Sequence, residues 1–265
     1  MLHTLTHLFI YPVKSLGGIA VNEALMTKRG LQYDRRYMLV DENNHFMTQR
    51  ENHRMALMKL KIREDHFEIS YLHSNALLVP KQTEQGDLLT VQVWDDVCDA
   101  IHLPQCDYFF SNALDKKCKL VYMREESLRP LPLQYAAAGD ITSFSDGYPV
   151  LLFGSASLSD LNGKLQTPLG WDRFRPNIVV ETQAPFEEDD WKKITIGDAQ
   201  FRVAKPCARC VITTIDQATG EAGKEPLRTL STYRTMDKKV MFGQNLIPDS
   251  LGVKVTVGNK LEVLS

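Results

Sequence analysis

"KPCARCVITTID", residues 205–216, sets Cys207 and Cys210 two residues apart, with Arg209 between them, Lys205 and Pro206 before them and a β-branched run after them. What this stretch holds decides whether the chain is a zinc module, a thiol-exchange fold or a β-structure carrying a thiol pair. Structural zinc takes four ligands, usually two such pairs or one pair with two histidines. Here Cys98, Cys106 and Cys118 stand singly, His102 is far off, and no histidine follows Cys210. A thiol-exchange pair sits at a helix N-terminus, where the dipole lowers the thiol pKa; "VITTI" (211–215) reads instead as a strand. An iron–sulfur cluster needs four suitably spaced ligands, which are absent. Two small buried hydrophobes are the plain structural alternative. Lys205 and Arg209 weigh against it. Cations favour thiolate, the form that binds a soft metal or attacks an electrophile, and they also suit an anionic cofactor.

The chain has 265 residues, 43% hydrophobic and 24% charged, which is enough for one large domain or two small ones. A net charge of -2 provides no overall field for nucleic acid or an anionic membrane. No apolar run approaches the ~18 residues of a membrane-spanning helix. The N-terminal "MLHTLTHLFIYPVKS" lacks the basic start and small-residue cleavage site of a signal peptide. Five cysteines are an odd count and a poor disulfide framework, so a reducing, cytoplasmic setting is expected.

Along the chain, β-like runs dominate. "TLTHLFIYPV" reads as a strand ended by Pro12, and "RRYMLVDENNHFMTQR" as a hairpin turning at Asp41–Asn44. "MALMKLKIREDHFEISYL" repeats that logic around Arg63–Asp65, and "ALLVP", "LLTVQVW" and "VCDAIHL" continue it. "CDYFFSNALDKK" reads as a helix with Tyr108, Ala113 and Leu114 on one face. "LRPLPLQYAAAGDITSFSDGYP" is a linker or long functional loop. "VLLFGSASLSDLNGKL" reads as strand, turn and helix capped by Ser155 or Ser157. "PNIVVET", "KKITIGDAQFRVA", "CVITTID", "VKVTVG" and "KLEVLS" are further strands. "EPLRTLSTYR" is a helix with Pro226 first and Leu227, Leu230 and Tyr233 on one face. "EEDDW" (187–191) reads as a solvated loop. The class is mainly β with a few helices, barrel or sandwich, with a boundary between residues 85 and 145.

"KPCARCVITTID", followed by "GKEPLRTLSTYR" and "FGQN", resembles the MOSC-domain family. "YPVKSLGG" (11–18), "DRRYMLVD" (34–41) and "FMTQRE" (46–51) resemble its N-terminal β-barrel domain, and "DGYPVLLFGSASLSDLN" (146–162) and "RFRPNIVV" (173–180) its MOSC core. The pattern is nearest the branch of the mitochondrial amidoxime-reducing component and its bacterial counterparts. It implies an N-terminal β-barrel-like domain over residues 1–120 and a MOSC β-barrel domain with a molybdenum-cofactor site over 121–265.

The resemblance implies a pterin-dithiolene molybdenum cofactor (Mo-molybdopterin) with Cys210, the second cysteine of the pair, as protein ligand and catalytic centre. A soft thiolate suits molybdenum. Lys14, Ser15 and Arg35 match family positions that grip the pterin and its phosphate; Ser155, Arg175, Asn177 and Arg209 match positions in the second half. Charge-assisted hydrogen bonds from Lys and Arg hold phosphate best. Taken singly, Lys14 and Arg35 are surface charges, Ser155 a helix cap and Asn177 a turn residue. Between the adjacent Arg35 and Arg36, Arg35 is favoured for the cofactor because it directly follows Asp34. The implied activity is reduction of N-hydroxylated small molecules, a detoxifying role. Neither the cluster-binding C-terminal domain of some bacterial relatives nor the anchor of the mitochondrial ones is expected here, so electrons come from a separate ferredoxin, cytochrome or flavoprotein. No nucleic-acid or membrane partner is expected. The alternative is a non-redox MOSC carrier that delivers cofactor, or sulfur as a persulfide on Cys210; a third reading is a domain that has lost its cofactor.

Overall fold

The computed structural model describes residues 2–265. Seven strands close into a barrel: β1 (Leu2–Ile10), β2 (Val150–Gly154), β3 (Ile178–Glu181), β4 (Lys193–Ile196), β5 (Ala199–Ala208), β6 (Lys239–Pro248) and β7 (Lys260–Val263). Around the barrel the order is β2, β3, β1, β7, β4, β5, β6, and β6 returns to β2 with Val150 opposite Leu246. All these pairings are antiparallel except β2 with β3, where Leu152 lies opposite Ile178. Closure removes the edges that open sheets leave exposed. The β4–β5 hairpin turns at Gly197, whose φ of +56° suits glycine.

The first strand of the chain is therefore a stave of the barrel formed mostly by the second half. Its Leu5 and Leu8 join Val150, Leu152, Ile178, Val180, Ile194 and Phe201 in one core, and Val13, Tyr37, Met58 and Phe67 of the N-terminal part extend that core. Strand β2 packs on both faces. Val150 and Leu152 belong to this core, while Phe153 meets Phe174, Phe242 and Leu230 in an outer cluster. That two-sided burial explains its unbroken apolar run "VLLF".

The rest of the N-terminal part makes smaller sheets. Tyr37–Val40, Lys119–Met123, Asp96–His102 and Asp87–Val93 form one of four strands; Met58–Ile62, His66–Tyr71 and Leu77–Pro80 form one of three. A third joins Gly30–Leu31 and Glu23–Thr27 to the distant Lys254–Thr256. Gly30, at φ +95°, lies where an added Cβ would stand 2.3 Å from the Pro149 carbonyl oxygen, so only glycine allows this approach between the halves.

Several local expectations are corrected. The second arm of the 34–50 hairpin makes only bridges, Val40 with Phe46 and His45 with Gln92. In helix α1 (Asp107–Leu114) the buried face is Phe110, Ala113 and Leu114; Tyr108, two positions before Phe110, points to solvent. In helix α2 (Ser155–Asn162) neither serine caps. Ser155 Oγ accepts from the Thr182 N–H, and Ser157 Oγ donates to Glu188. "EEDDW" is not simply solvated: Glu188 is buried and its Oε1 also accepts from the Gly154 N–H. Helix α3 (Leu227–Ser231) follows Pro226 rather than including it; it buries Leu230 and leaves Tyr233 exposed. "VITT" (211–214) is a 3₁₀ turn starting after Cys210. Thr213 and Thr214 hydroxyls donate to the carbonyls three residues back, and this local bonding defeats the β-branched preference for strand.

Candidate functional site

The end of β1 places the first functional side chains. After Ile10 the chain turns through Pro12, and Lys14 N–H bonds the Tyr37 carbonyl. Lys14 is only 3% exposed. Its ammonium donates to the Phe144 carbonyl at 2.8 Å and to the Asp146 carboxylate. Burial pushes its pKa down to about 8 against the pull of Asp146. Asp34, fully buried, accepts from the Tyr11 N–H at 2.8 Å and from Arg35 Nη1 at 2.6 Å. Arg35 also donates to Asn177 Oδ1 at 3.0 Å and to the Arg175 carbonyl at 3.3 Å. Asn177 in turn ties β1 to β2, donating to the Phe9 carbonyl and accepting from Leu151 N–H. Arg36 points elsewhere, to Glu125 and the Met123 carbonyl.

Arg35 and Arg175 each place a guanidinium 4.3 Å from the Tyr11 ring centroid. Arg175 has no side-chain hydrogen bond or ion pair among the described residues, and burial, with Arg35 beside it, pushes its pKa down to about 10. From the cysteine stretch, Arg209 donates Nη1 to Cys207 Sγ at 3.1 Å and Nη2 to the Phe174 carbonyl at 2.7 Å. Across from it Arg50 donates one Nη2 to both Asp146 Oδ2 at 2.9 Å and Cys210 Sγ at 3.2 Å.

These groups line one cleft of about 310 Å³ between the barrel and the N-terminal sheets. It gathers Lys14, Ser15, Arg35, Arg175, Asn177, Arg209 and Cys210 from the sequence-predicted set. Ser155 is not on its wall; its hydroxyl is spent on the Thr182 backbone. Arg50, Trp94, Asp146 and Tyr148 line it too and escaped the reading of the sequence. Arg50 lies within "FMTQRE" and Asp146 and Tyr148 within "DGYP", but nothing local in those motifs singles out these side chains. The long loop over 128–149 connects the halves and contributes Ser145–Tyr148 to the wall of this cleft. Ser15, Arg35, Trp94 and Arg175 all have positive φ, 64°, 48°, 56° and 57°. Backbone conformations this unfavourable persist where the surroundings impose them and gather at functional sites.

Five cations on the lining, Lys14, Arg35, Arg50, Arg175 and Arg209, face one carboxylate, the half-exposed Asp146, whose ionised form Lys14 and Arg50 strongly favour. Arg50 Nη1 and Arg209 Nε are buried without a partner. Unpaired buried donors are costly, and such groups gather at functional sites. The cysteines divide the same way. Burial pushes Cys98, Cys106 and Cys118 up to about 11, 12 and 11, while half-buried Cys207 and Cys210 each receive a guanidinium N–H. No group of three or more His, Cys, Asp or Glu side chains suited to a metal ion occurs among the described residues, so zinc finds no ligand set here.

The cleft lies where two sequence families meet. The MOSC N-terminal beta barrel domain matches residues 2–117 and the MOSC domain residues 140–262. The chain belongs to the MOSC-domain family. Its likeness to mitochondrial amidoxime-reducing component 1 of Mus musculus is 32% identity over 98% of this chain and 82% of that one. The Homo sapiens protein of that name is 31% identical over 98% and 83%. Molybdenum cofactor sulfurase of Danio rerio is 33% identical over 93% of this chain, which spans 32% of that longer protein. The MOSC barrel here takes its β1 from the segment matched by the N-terminal family, so the two families share one barrel and one core.

Proposed function

We propose that this MOSC protein holds a molybdenum cofactor in the cleft and reduces N-hydroxylated compounds with electrons from a separate partner protein. The observation that carries the reading is the Cys210 sulfur on the wall of a cleft with surplus cations, in a chain similar along nearly its whole length to proteins named for amidoxime reduction. The donor set fits the group: a soft sulfur for molybdenum, and guanidinium and ammonium donors for phosphate. When bound, the cofactor would supply two-electron redox chemistry.

The chain's own residues do the rest. Cys210 presents its sulfur as the ligand, and Arg50 fixes where that sulfur points through the bond it shares with Asp146. Lys14, Arg175 and Arg209 offer donors to the anionic part of the group. Asp34 and Asn177 hold Arg35 against the cleft, so its position does not depend on a ligand. Net reduction of an amidoxime to an amidine and water takes two electrons and two protons, and the electrons are the partner's. Five unpaired thiols suit a reducing compartment, and we place the protein in the cytoplasm, where removal of reactive N-hydroxy compounds is its role.

Purified protein from a molybdenum-sufficient host, reduced with dithionite, should convert benzamidoxime to benzamidine. Likeness to the sulfurase favours a second reading, in which the cleft carries cofactor or sulfur for delivery. Stoichiometric cofactor with no turnover under any reductant would select that reading and overturn the reductase.

A further inference from the structure

We infer that Trp94 is the specificity-determining platform of the cleft, selecting neutral, flat, aromatic N-hydroxylated compounds over small aliphatic ones; this rests on the reductase reading. Trp94 occupies a hairpin tip where Val93 pairs directly with Asp96, so Trp94 and Asp95 alone make the turn. Left-handed positions in two-residue hairpins go to glycine, asparagine or aspartate. A bulky aromatic at φ +56° is an outlier there, kept by what surrounds it. Gln92 Nε2 donates to the Trp94 carbonyl at 3.0 Å, and the Phe46 ring lies 4.7 Å from the indole. The Arg50 guanidinium sits 4.7 Å from the indole centroid.

Trp94 on this strained turn lines the cleft and remains 38% exposed as a residue, whereas Trp191 is 6% exposed. Phe46 and Arg50 pack against part of the ring and leave the rest of this large side chain open. One guanidinium separates it from the reacting region, because the Arg50 that stacks on it also donates to Cys210 Sγ at 3.2 Å. The exposed part of the indole therefore offers a planar π system an aromatic contact, with Arg50 between it and the sulfur. Charge sets the second half of the selection. The cleft lining carries five cations against one carboxylate, which disfavours a cationic ligand. Amidoximes are neutral at pH 7, whereas the amidines formed from them are protonated cations, so the Arg50 guanidinium beside the indole disfavours product at this wall relative to substrate.

The test compares Trp94→Ala and Trp94→Phe with the wild type in dithionite-driven turnover of benzamidoxime and acetamidoxime. Loss of stacking should lower the preference for benzamidoxime, as the ratio of kcat/KM values, about two- to tenfold in Trp94→Ala through KM, and Trp94→Phe should restore most of it. A readout free of turnover is tryptophan fluorescence: benzamidoxime added without reductant should quench the wild type but not Trp94→Phe. An unchanged ratio in Trp94→Ala, or quenching that survives in Trp94→Phe, would overturn the inference. Wild-type quenching without turnover under reductant would support the platform and overturn the reductase reading instead.

Discussion

Replacing Lys14 by Met reads the electrostatics of the cleft most cleanly. Lys14 is 3% exposed, and its ammonium is bonded to the Phe144 carbonyl and Asp146. Burial takes its pKa from 10.5 to about 8; Asp146 opposes the shift and Arg129 and Arg50 add to it. A shift of that size means the charged form is disfavoured in the folded protein by about 3 kcal/mol. Below pH 8 both folded and unfolded chains are protonated at this site, and its contribution to stability is constant. Between pH 8 and 10.5 the unfolded chain binds a proton that the folded chain has lost, so the contribution of Lys14 to stability rises with pH. Met keeps the length and removes the charge, leaving Asp146 half exposed and paired with Arg50. Urea unfolding of cofactor-free protein should therefore show the wild type gaining on Lys14→Met by up to about 3 kcal/mol between pH 7 and 10.5. Binding moves the other way. A charge-assisted hydrogen bond is worth about 1.5–3 kcal/mol, so sulfate affinity at pH 7 should fall at least ~10-fold in Lys14→Met, and wild-type affinity should fall as pH passes 8. Stability–pH curves that run parallel for the two proteins would refute the argument, as would sulfate affinity indifferent to both pH and Lys14.

Three further outcomes follow from the same geometry. Arg175→Gln should cost no more than about 1 kcal/mol in urea unfolding, because the guanidinium makes no protein hydrogen bond and loses only its stacking on Tyr11, yet it should lower pterin content after purification. Glu188→Ala should destabilise by about 2 kcal/mol or more, since it strands the Gly154 N–H at the start of α2 and empties the site under Ser157, as thermal or urea unfolding will show. Cys207→Ser should cost about 1 kcal/mol in stability and leave molybdenum content near wild type.

The barrel was legible in part. β1, β2, β3, β4 and β7 announce themselves as short apolar or alternating runs between turn residues, and the Gly197 hairpin carries its own turn signal. Which strands pair was not legible, because β1 meets Ile178–Glu181 and Lys260–Val263 across most of the chain's length and nothing local encodes that. The 3₁₀ turn at Val211–Thr214 defeated a propensity argument through side-chain bonds to backbone that strand preference ignores. Of the cleft residues, those in the quoted motifs were found through the resemblance and not from chemistry visible in isolation. Arg50 and Asp146 gain meaning only when loops 96 residues apart converge on one bond, and Trp94 only through a backbone angle that the sequence does not display.

The most direct measurement is molybdenum and pterin content of protein purified from a molybdenum-sufficient host, wild type beside Cys210→Ser. Stoichiometric molybdenum with pterin in the wild type, and in Cys210→Ser loss of molybdenum and of benzamidoxime reduction while the phosphate-gripping cations keep a measurable share of pterin, is the predicted result. Wild-type protein that never carries the metal or the pterin, or a Cys210→Ser variant that keeps both metal and turnover, would contradict it.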